Sequence, residues 1–192
     1  MRLQLTLTIL VTAVGIYQPT SAQIGFVREH ITVTVAGGSC ALDADYYFKN
    51  SARRPSGCTI FYPLINRSDL PYPDSISVAD SAGAPIGFER TTEGIMFFLD
   101  LKSEETKKIR VRYRQRTPSQ RFEYILTSTK AWGKPLELAE FRIVVPDSLK
   151  LISCSPVFDR KETIKNTVYY HIKRSKFMPD SNLIVKWKRG KP

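Results

Sequence analysis

Basic and mostly apolar residues alternate over the nine positions from Lys108 to Arg116. Because successive side chains of a β-strand point to opposite faces, this alternation predicts a strand with one apolar and one basic face. The apolar side chains Ile109, Val111 and Tyr113 are expected to face a core. The opposite face is predicted to carry a row of guanidinium groups about 7 Å apart, formed by Arg110, Arg112, Arg114 and Arg116.

Short alternating segments also occupy the rest of the chain. Ile31–Val35 and Leu183–Trp187 alternate at period two, and turn signals such as Thr92-Glu93-Gly94 recur about every ten residues. No segment has the period of an amphipathic helix. We therefore predict an all-β protein of about twelve short strands, arranged as an antiparallel β-sandwich. It could form one large sandwich or two tightly packed immunoglobulin-like lobes that divide near residues 102–106.

The turn at Thr117–Gln120 predicts that the arginine-bearing strand forms a hairpin with residues 121–127. In a symmetric hairpin Arg114 lies opposite Glu123, and Arg116 lies opposite Arg121. Arg121 then joins the row, and one carboxylate cannot neutralise it. Arginine suits bidentate contact with phosphate, sulfate or carboxylate, so the row is a candidate anion-binding site. The alternative is a basic face whose charge keeps an edge strand from pairing.

Residues 1–22 have the pattern of a cleaved secretory signal peptide. Arg2 precedes an apolar stretch from Leu3 to Tyr17, and Thr20-Ser21-Ala22 offers small residues for cleavage. An uncleaved anchor is the alternative, but the apolar run is shorter than the roughly 20 residues that a membrane-spanning helix needs. We expect residues 23–192 to form an exported domain, periplasmic or secreted, that is not an integral membrane protein.

The charge is distributed unevenly along the chain, whose formal net charge is +11. Residues 23–105 contain 7 Lys and Arg against 11 Asp and Glu, a net −4, whereas residues 106–192 contain 21 against 7, a net +14. The basic half can attract an anionic envelope surface or an acidic protein, or it can pair with the acidic half of the chain. Because the aromatic residues near the arginine row face the core, a base-stacking platform for nucleic acid is not expected.

The chain contains three cysteines, Cys40, Cys58 and Cys154. An exported protein meets an oxidising environment, so we expect one disulfide and one remaining thiol. The short loop between Cys40 and Cys58 favours a bond between these two, although Cys154 could replace either partner. No Cys-x-x-Cys motif indicates a redox or zinc site.

No catalytic, metal-binding or cofactor motif is found in the sequence. His30 and His171 are the only histidines, and neither has the spacing of metal ligands. There is no Gly-x-Ser-x-Gly motif, and the Gly37-Gly38 pair does not open a helix, so neither a hydrolase elbow nor a phosphate loop is indicated. Acidic residues such as Asp43 and Asp69 are expected in solvated turns. We therefore expect no cofactor and no catalytic residue.

Two segments, Tyr46–Asn50 and Trp132–Pro146, resemble patterns in uncharacterised exported all-β proteins of bacteria, which share a domain of unknown function. In the second segment the matching residues are Trp132, Pro135, Leu136, Ala139, Phe141, Ile143 and Pro146. The resemblance implies a β fold outside the cytoplasm. It assigns no catalytic residue.

These observations favour a non-enzymatic, exported binding or envelope-associated module whose arginine face meets an anionic partner. A structural or assembly protein that contacts another envelope protein is one alternative. A hydrolase whose site is not visible in the sequence is another. Salt-dependent binding that is lost when the arginines are removed would distinguish the first function from the other two.

Overall fold

The computed structural model describes residues 24–190, and the predicted signal peptide, residues 1–22, lies outside the described residues. The described chain forms thirteen strands and one short 3₁₀ helix, Thr127–Trp132. No helix in this part of the chain is long and apolar enough to cross a membrane. The strands are β1 (Ile24–Val35), β2 (Ser39–Asn50), β3 (Ser56–Pro63), β4 (Ser75–Ala79), β5 (Glu89–Arg90), β6 (Gly94–Leu101), β7 (Thr106–Arg116), β8 (Arg121–Tyr124), β9 (Leu136–Pro146), β10 (Leu149–Ser155), β11 (Arg160–Ile164), β12 (Thr167–Phe177) and β13 (Leu183–Arg189).

The strands form three sheets that pack as a β-sandwich, which confirms the predicted fold class. A seven-stranded sheet has the order β11-β12-β9-β1-β2-β7-β4. Two three-stranded sheets, β10-β13-β8 and β3-β6-β5, pack against one face of the large sheet through a shared hydrophobic core. We call this covered face the inner face and the opposite one the outer face.

Period-two alternation separates the two faces of the large sheet. In β2 the inner side chains include Leu42, Ala44 and Tyr46, all of which are buried. Fully burying one large apolar side chain contributes about 1.5–3 kcal/mol. Asp43 and Asp45 stand between them and point to the outer face, where they pair with basic side chains. One strand therefore supplies both the core and a charged surface.

Strands from both sides of residues 102–106 are neighbours in the large sheet. β2 pairs with β7, and β1 pairs with β9. The β1 and β9 pair is parallel, unlike the other strand pairs of the sandwich. Parallel neighbours need a long crossover connection, which the strands between β1 and β9 provide here. Both halves of the chain therefore share one sheet and one core.

The predicted hairpin between the arginine-bearing strand and residues 121–127 does not form. β7 pairs with β2 on one side and with β4 on the other. β8 pairs instead with β13, in a different sheet. Alternation along a strand sets the face that each side chain occupies but does not select the neighbouring strand. For this reason the sequence pattern indicated the wrong partner.

The predicted disulfide between Cys40 and Cys58 is wrong, because all three cysteines are free. Cys58 lines a groove together with Phe48. Phe48 and Cys40 both lie on β2, and their positions along the strand are roughly 26 Å apart. A disulfide requires Cα atoms within about 7 Å of each other. Burial raises the pKa of the third thiol, that of Cys154, to about 11, so this thiol is protonated at neutral pH.

Candidate functional site

The arginine row lies on the outer face of the seven-stranded sheet, as the alternation predicts. The three apolar residues between the arginines are buried in the core. The exposed fraction of the arginine side chains rises along β7, from 38% at Arg110 to 54% at Arg112 and 68% at Arg116. The row is therefore most accessible at the end of the strand.

Strand β2 neutralises the first part of the row. Asp45 lies opposite Arg110, and Asp43 lies opposite Arg112. The Arg110 guanidinium donates to both oxygens of Asp43, at 2.7 Å from Nε and 2.5 Å from Nη2. Arg112 Nε donates to the same carboxylate at 3.2 Å. Hydrogen bonding from Arg110 lowers the pKa of Asp43, so this residue, which was expected in a turn, is an ionised partner within a strand.

Arg114 and Arg116, the last two arginines of the row, face no carboxylate in either neighbouring strand. Arg114 Nε donates to the hydroxyl of Ser39 at 3.3 Å. Arg116 Nε lies 3.7 Å from the loop residue Asp74. Within residues 24–190 the terminal Nη nitrogens of Arg112, Arg114 and Arg116 have no hydrogen-bond partner. We call these three residues the arginine end.

The arginine end borders an open cleft at one end of the sheet. Arg114 and Arg116 line this cleft together with the hydroxyl-bearing residues Ser39 and Ser75, Asp74 and the Gly37-Gly38 turn between β1 and β2. A Cβ added at either glycine would meet no atom within 4 Å. The space beside this turn is therefore open, and an anion with several oxygens in the cleft could accept hydrogen bonds from both guanidinium groups.

Arg121 does not belong to the row. It lies on β8, and its Nη2 donates to Glu123 at 2.5 Å, while Asp69 lies 3.6 Å from its Nη1. Glu123 also accepts hydrogen bonds from Arg67 at 3.1 Å and from Asn182 at 2.8 Å. Burial tends to raise the pKa of Glu123, but these hydrogen bonds outweigh it and lower the pKa below its ordinary value. Arg121 is therefore held in an ion-pair network on another sheet.

The acidic first half of the chain pairs with the basic second half within the molecule. The Arg110–Asp43 pair is one example. Further ion pairs between the halves are Lys107–Asp100, Lys108–Asp45, Arg116–Asp74 and Arg121–Asp69. This pairing was one of the two explanations of the charge distribution. These ion pairs occupy many of the basic side chains of β7. The arginine end is the part of the row whose Nη donors remain without a partner within residues 24–190.

A second polar network crosses the outer face, and sequence reasoning missed it. Glu140 lies 3.2 Å from His30 Nε2 and 3.0 Å from Lys173 Nζ. His171 Nε2 lies 2.9 Å from Glu162. These residues come from four strands, so no sequence spacing could identify them. Within the described range, no group of three or more histidine, cysteine, aspartate or glutamate side chains is placed to hold a metal ion.

Comparison with known proteins supports the fold. No family model matches this chain, and no curated protein matches it significantly. Among solved structures, a "putative nutrient binding protein" of Legionella pneumophila is similar, with a TM-score of 0.70 and 12% identity. The match covers 87% of this chain and 67% of that chain.

An M1 zinc metallopeptidase of Deinococcus radiodurans is also similar. A mutant bound to a Tyr-Ser-Ala substrate gives a TM-score of 0.54 at 13% identity, over 86% of this chain and 43% of that chain. A second structure of this peptidase gives 0.52 at 14% identity. This chain therefore spans less than half the length of the peptidase chains. At such low identity these likenesses show the fold alone.

Proposed function

We propose that this protein is a non-enzymatic binding module that acts outside the cytoplasm and holds anionic partners at its arginine end. The partner presents clustered phosphate, sulfate or carboxylate groups, as lipid headgroups and acidic polysaccharides do. The pattern of residues 1–22 and the resemblance to exported bacterial proteins support export. The structural likeness to a protein described as nutrient-binding supports a binding role.

The observation that carries the proposal is a contrast within β7. Arg110 donates to Asp43 from both Nε and Nη2. In the arginine end Arg112 donates to Asp43 from Nε alone, and within residues 24–190 the Nη nitrogens of all three residues have no hydrogen-bond partner. The backbone of the strand places the Cα atoms of these three arginines about 7 Å apart. A partner with several anionic groups can therefore contact more than one of them, and little ordering of the protein main chain is needed on binding.

Heparin and vesicles that contain phosphatidylglycerol are suitable probes, because they present sulfate and phosphate groups on different carriers. Replacing Arg112, Arg114 and Arg116 together with glutamine should weaken binding roughly tenfold or more, because the accessible bidentate donors are lost. Binding by the unaltered protein should also weaken as salt is raised above about 0.1 M. Titration against both probes would show which carrier the arginine end prefers.

The matched control removes three positive charges from the exposed part of β13, by replacing Lys186, Lys188 and Arg189 with glutamine. This variant has the same net charge as the first one. It should bind both probes within about threefold of the unaltered protein, since only screened long-range attraction is lost. Equal weakening by the two triple variants would contradict the proposal, because binding would then follow total charge.

A further inference from the structure

A groove runs along the inner side of the sandwich, between the two small sheets. Its volume is about 790 Å³, which is within the range of ligand-binding sites. All residues of β3, Ser56–Pro63, line one wall. Residues between Tyr124 and Trp132 line the opposite wall, and Phe26 and Phe48 of the large sheet form part of the floor.

Strand β3 presents an unpaired edge to this groove. Within residues 24–190 it pairs with β6 alone. Residues of both parities along β3 line the groove, so the edge of the strand borders it and not one of its faces. In an antiparallel pair every second residue directs its N–H and C=O away from the partner, so roughly four residues of β3 can bond a further strand.

The groove has two walls, formed by β3 and by residues between Tyr124 and Trp132, and a floor formed by the large sheet. We call it the slot. Trp132 packs against Phe48 of the floor, with ring centroids 5.5 Å apart. Toward one end, the Tyr46 hydroxyl hydrogen-bonds the hydroxyls of Tyr62 and Tyr124, at 2.8 and 2.9 Å. These bonds tie β3 to the opposite wall. They use two of the three hydroxyl protons, so one O–H can be donated to a ligand.

The slot is uncharged and lies beside exposed aromatic side chains. None of its 19 lining residues is Lys, Arg, Asp or Glu, although these types make up 24% of the chain. On the neighbouring surface Phe61 and Phe98 are 49% and 63% exposed. Exposed apolar surface next to a groove is typical of interaction sites. The slot is therefore complementary to an uncharged, apolar ligand surface.

We propose that this slot binds an extended peptide segment of a partner protein, which adds a strand to the open edge of β3. A single extended chain has no neighbouring strand of its own, whereas a folded sheet edge from a second copy would bring another strand about 4.8 Å further toward the opposite wall. The peptide carries uncharged, apolar side chains at every second position, because these side chains meet the aromatic floor. The proposal does not depend on the arginine end.

A capped heptapeptide of alternating threonine and valine is the probe, used with the full chain. Amide hydrogen exchange in residues 56–63 should slow roughly tenfold or more at saturation, at the amides that do not bond β6. Methylating the peptide nitrogens on one residue type should abolish binding, and methylating those on the other type should preserve it. This asymmetry is expected because alternate amides of a strand point to opposite edges.

The variant Ala131→Glu places a charge on the wall opposite β3, at an exposed position that lines the slot. It should weaken peptide binding roughly tenfold. Ser77→Glu adds the same charge at an exposed position on the outer sheet and should leave binding unchanged. Both variants should melt at the temperature of the unaltered protein, because neither alters the core.

Three results would overturn the proposal. One is the absence of saturable peptide binding at millimolar concentration. Another is peptide binding that neither methylation pattern weakens. The third is slow exchange of the open-edge amides of β3 before peptide is added, with protection that depends on protein concentration, because the edge would then be paired with a second copy.

Discussion

The two faces of the seven-stranded sheet use the same strands for opposite purposes. On the outer face, carboxylates and guanidinium groups pair across β2 and β7, and Nη donors without a partner in the described part of the chain remain at the arginine end. On the inner side, the same sheet forms the floor of a slot that no charged residue lines. A sequence that alternates at period two can therefore place a charged surface and an apolar slot on opposite sides of one sheet.

The largest expected change in stability tests whether two consecutive residues of β9 lie on opposite faces of the large sheet. Phe141 is buried on the inner side, at 2% exposure, and Arg142 is exposed on the outer side. Phe141→Ala should lower the free energy of unfolding by about 3–5 kcal/mol, because it leaves a cavity in the core. Arg142→Ala should change it by about 0.5 kcal/mol or less. Urea denaturation measures the free energy of unfolding of both variants. Similar decreases in the two would contradict the separation of core and surface along this strand.

A pH-dependent effect is expected from Glu29, the buried carboxyl of the inner side. Burial raises its pKa from 4.5 to about 8. Between these values the folded protein keeps a proton that the unfolded chain releases, so the contribution of Glu29 to stability falls as pH rises from about 4.5 to about 8. The decline amounts to a few kcal/mol.

The matched variant for this prediction is Glu29→Gln, which keeps the shape of the side chain and cannot ionise. Its free energy of unfolding should lack the decline, so the difference between the two proteins grows toward pH 8. Urea denaturation at several pH values measures this difference. A constant difference from pH 5 to pH 8 would show that Glu29 is ionised in the folded protein.

A smaller effect tests the charge pairing of the outer face. Asp43→Ala removes the carboxylate that accepts from Arg110 and Arg112. Because the pair is partly exposed, the free energy of unfolding should fall by only about 0.5–1 kcal/mol. Heparin binding should become roughly two- to fivefold tighter, since one acidic neighbour is lost and Arg110 is released. Weaker heparin binding would mean that Asp43 positions the arginines and does not compete for them.

Alternation made much of the fold predictable from the sequence. It identified the all-β class, and it placed Ile109 and Val111 in the core and the arginines of β7 on the opposite face. The information is local, because the parity of a strand depends only on its own backbone. The number of strands followed from turn residues for the same reason.

Strand pairing was not predictable, because it depends on contacts between residues far apart in the chain. The turn after β7 suggested a hairpin with β8 and placed Arg121 in the row, whereas β7 pairs with β2. One signal could have indicated the true partner: Asp43 and Asp45 alternate with the spacing of Arg110 and Arg112. The slot was also invisible, since its floor and walls come from separate sheets.

The most direct test of the central claim is a two-dimensional NMR titration of the unaltered protein with a short heparin oligosaccharide. We predict that side-chain Nε–H signals of Arg112, Arg114 and Arg116 shift, together with main-chain amides of Ser39 and Ser75. Signals of Arg110, which Asp43 holds, should move less. Shifts that are confined to the basic residues of β13, or that are absent from β7, would contradict the account.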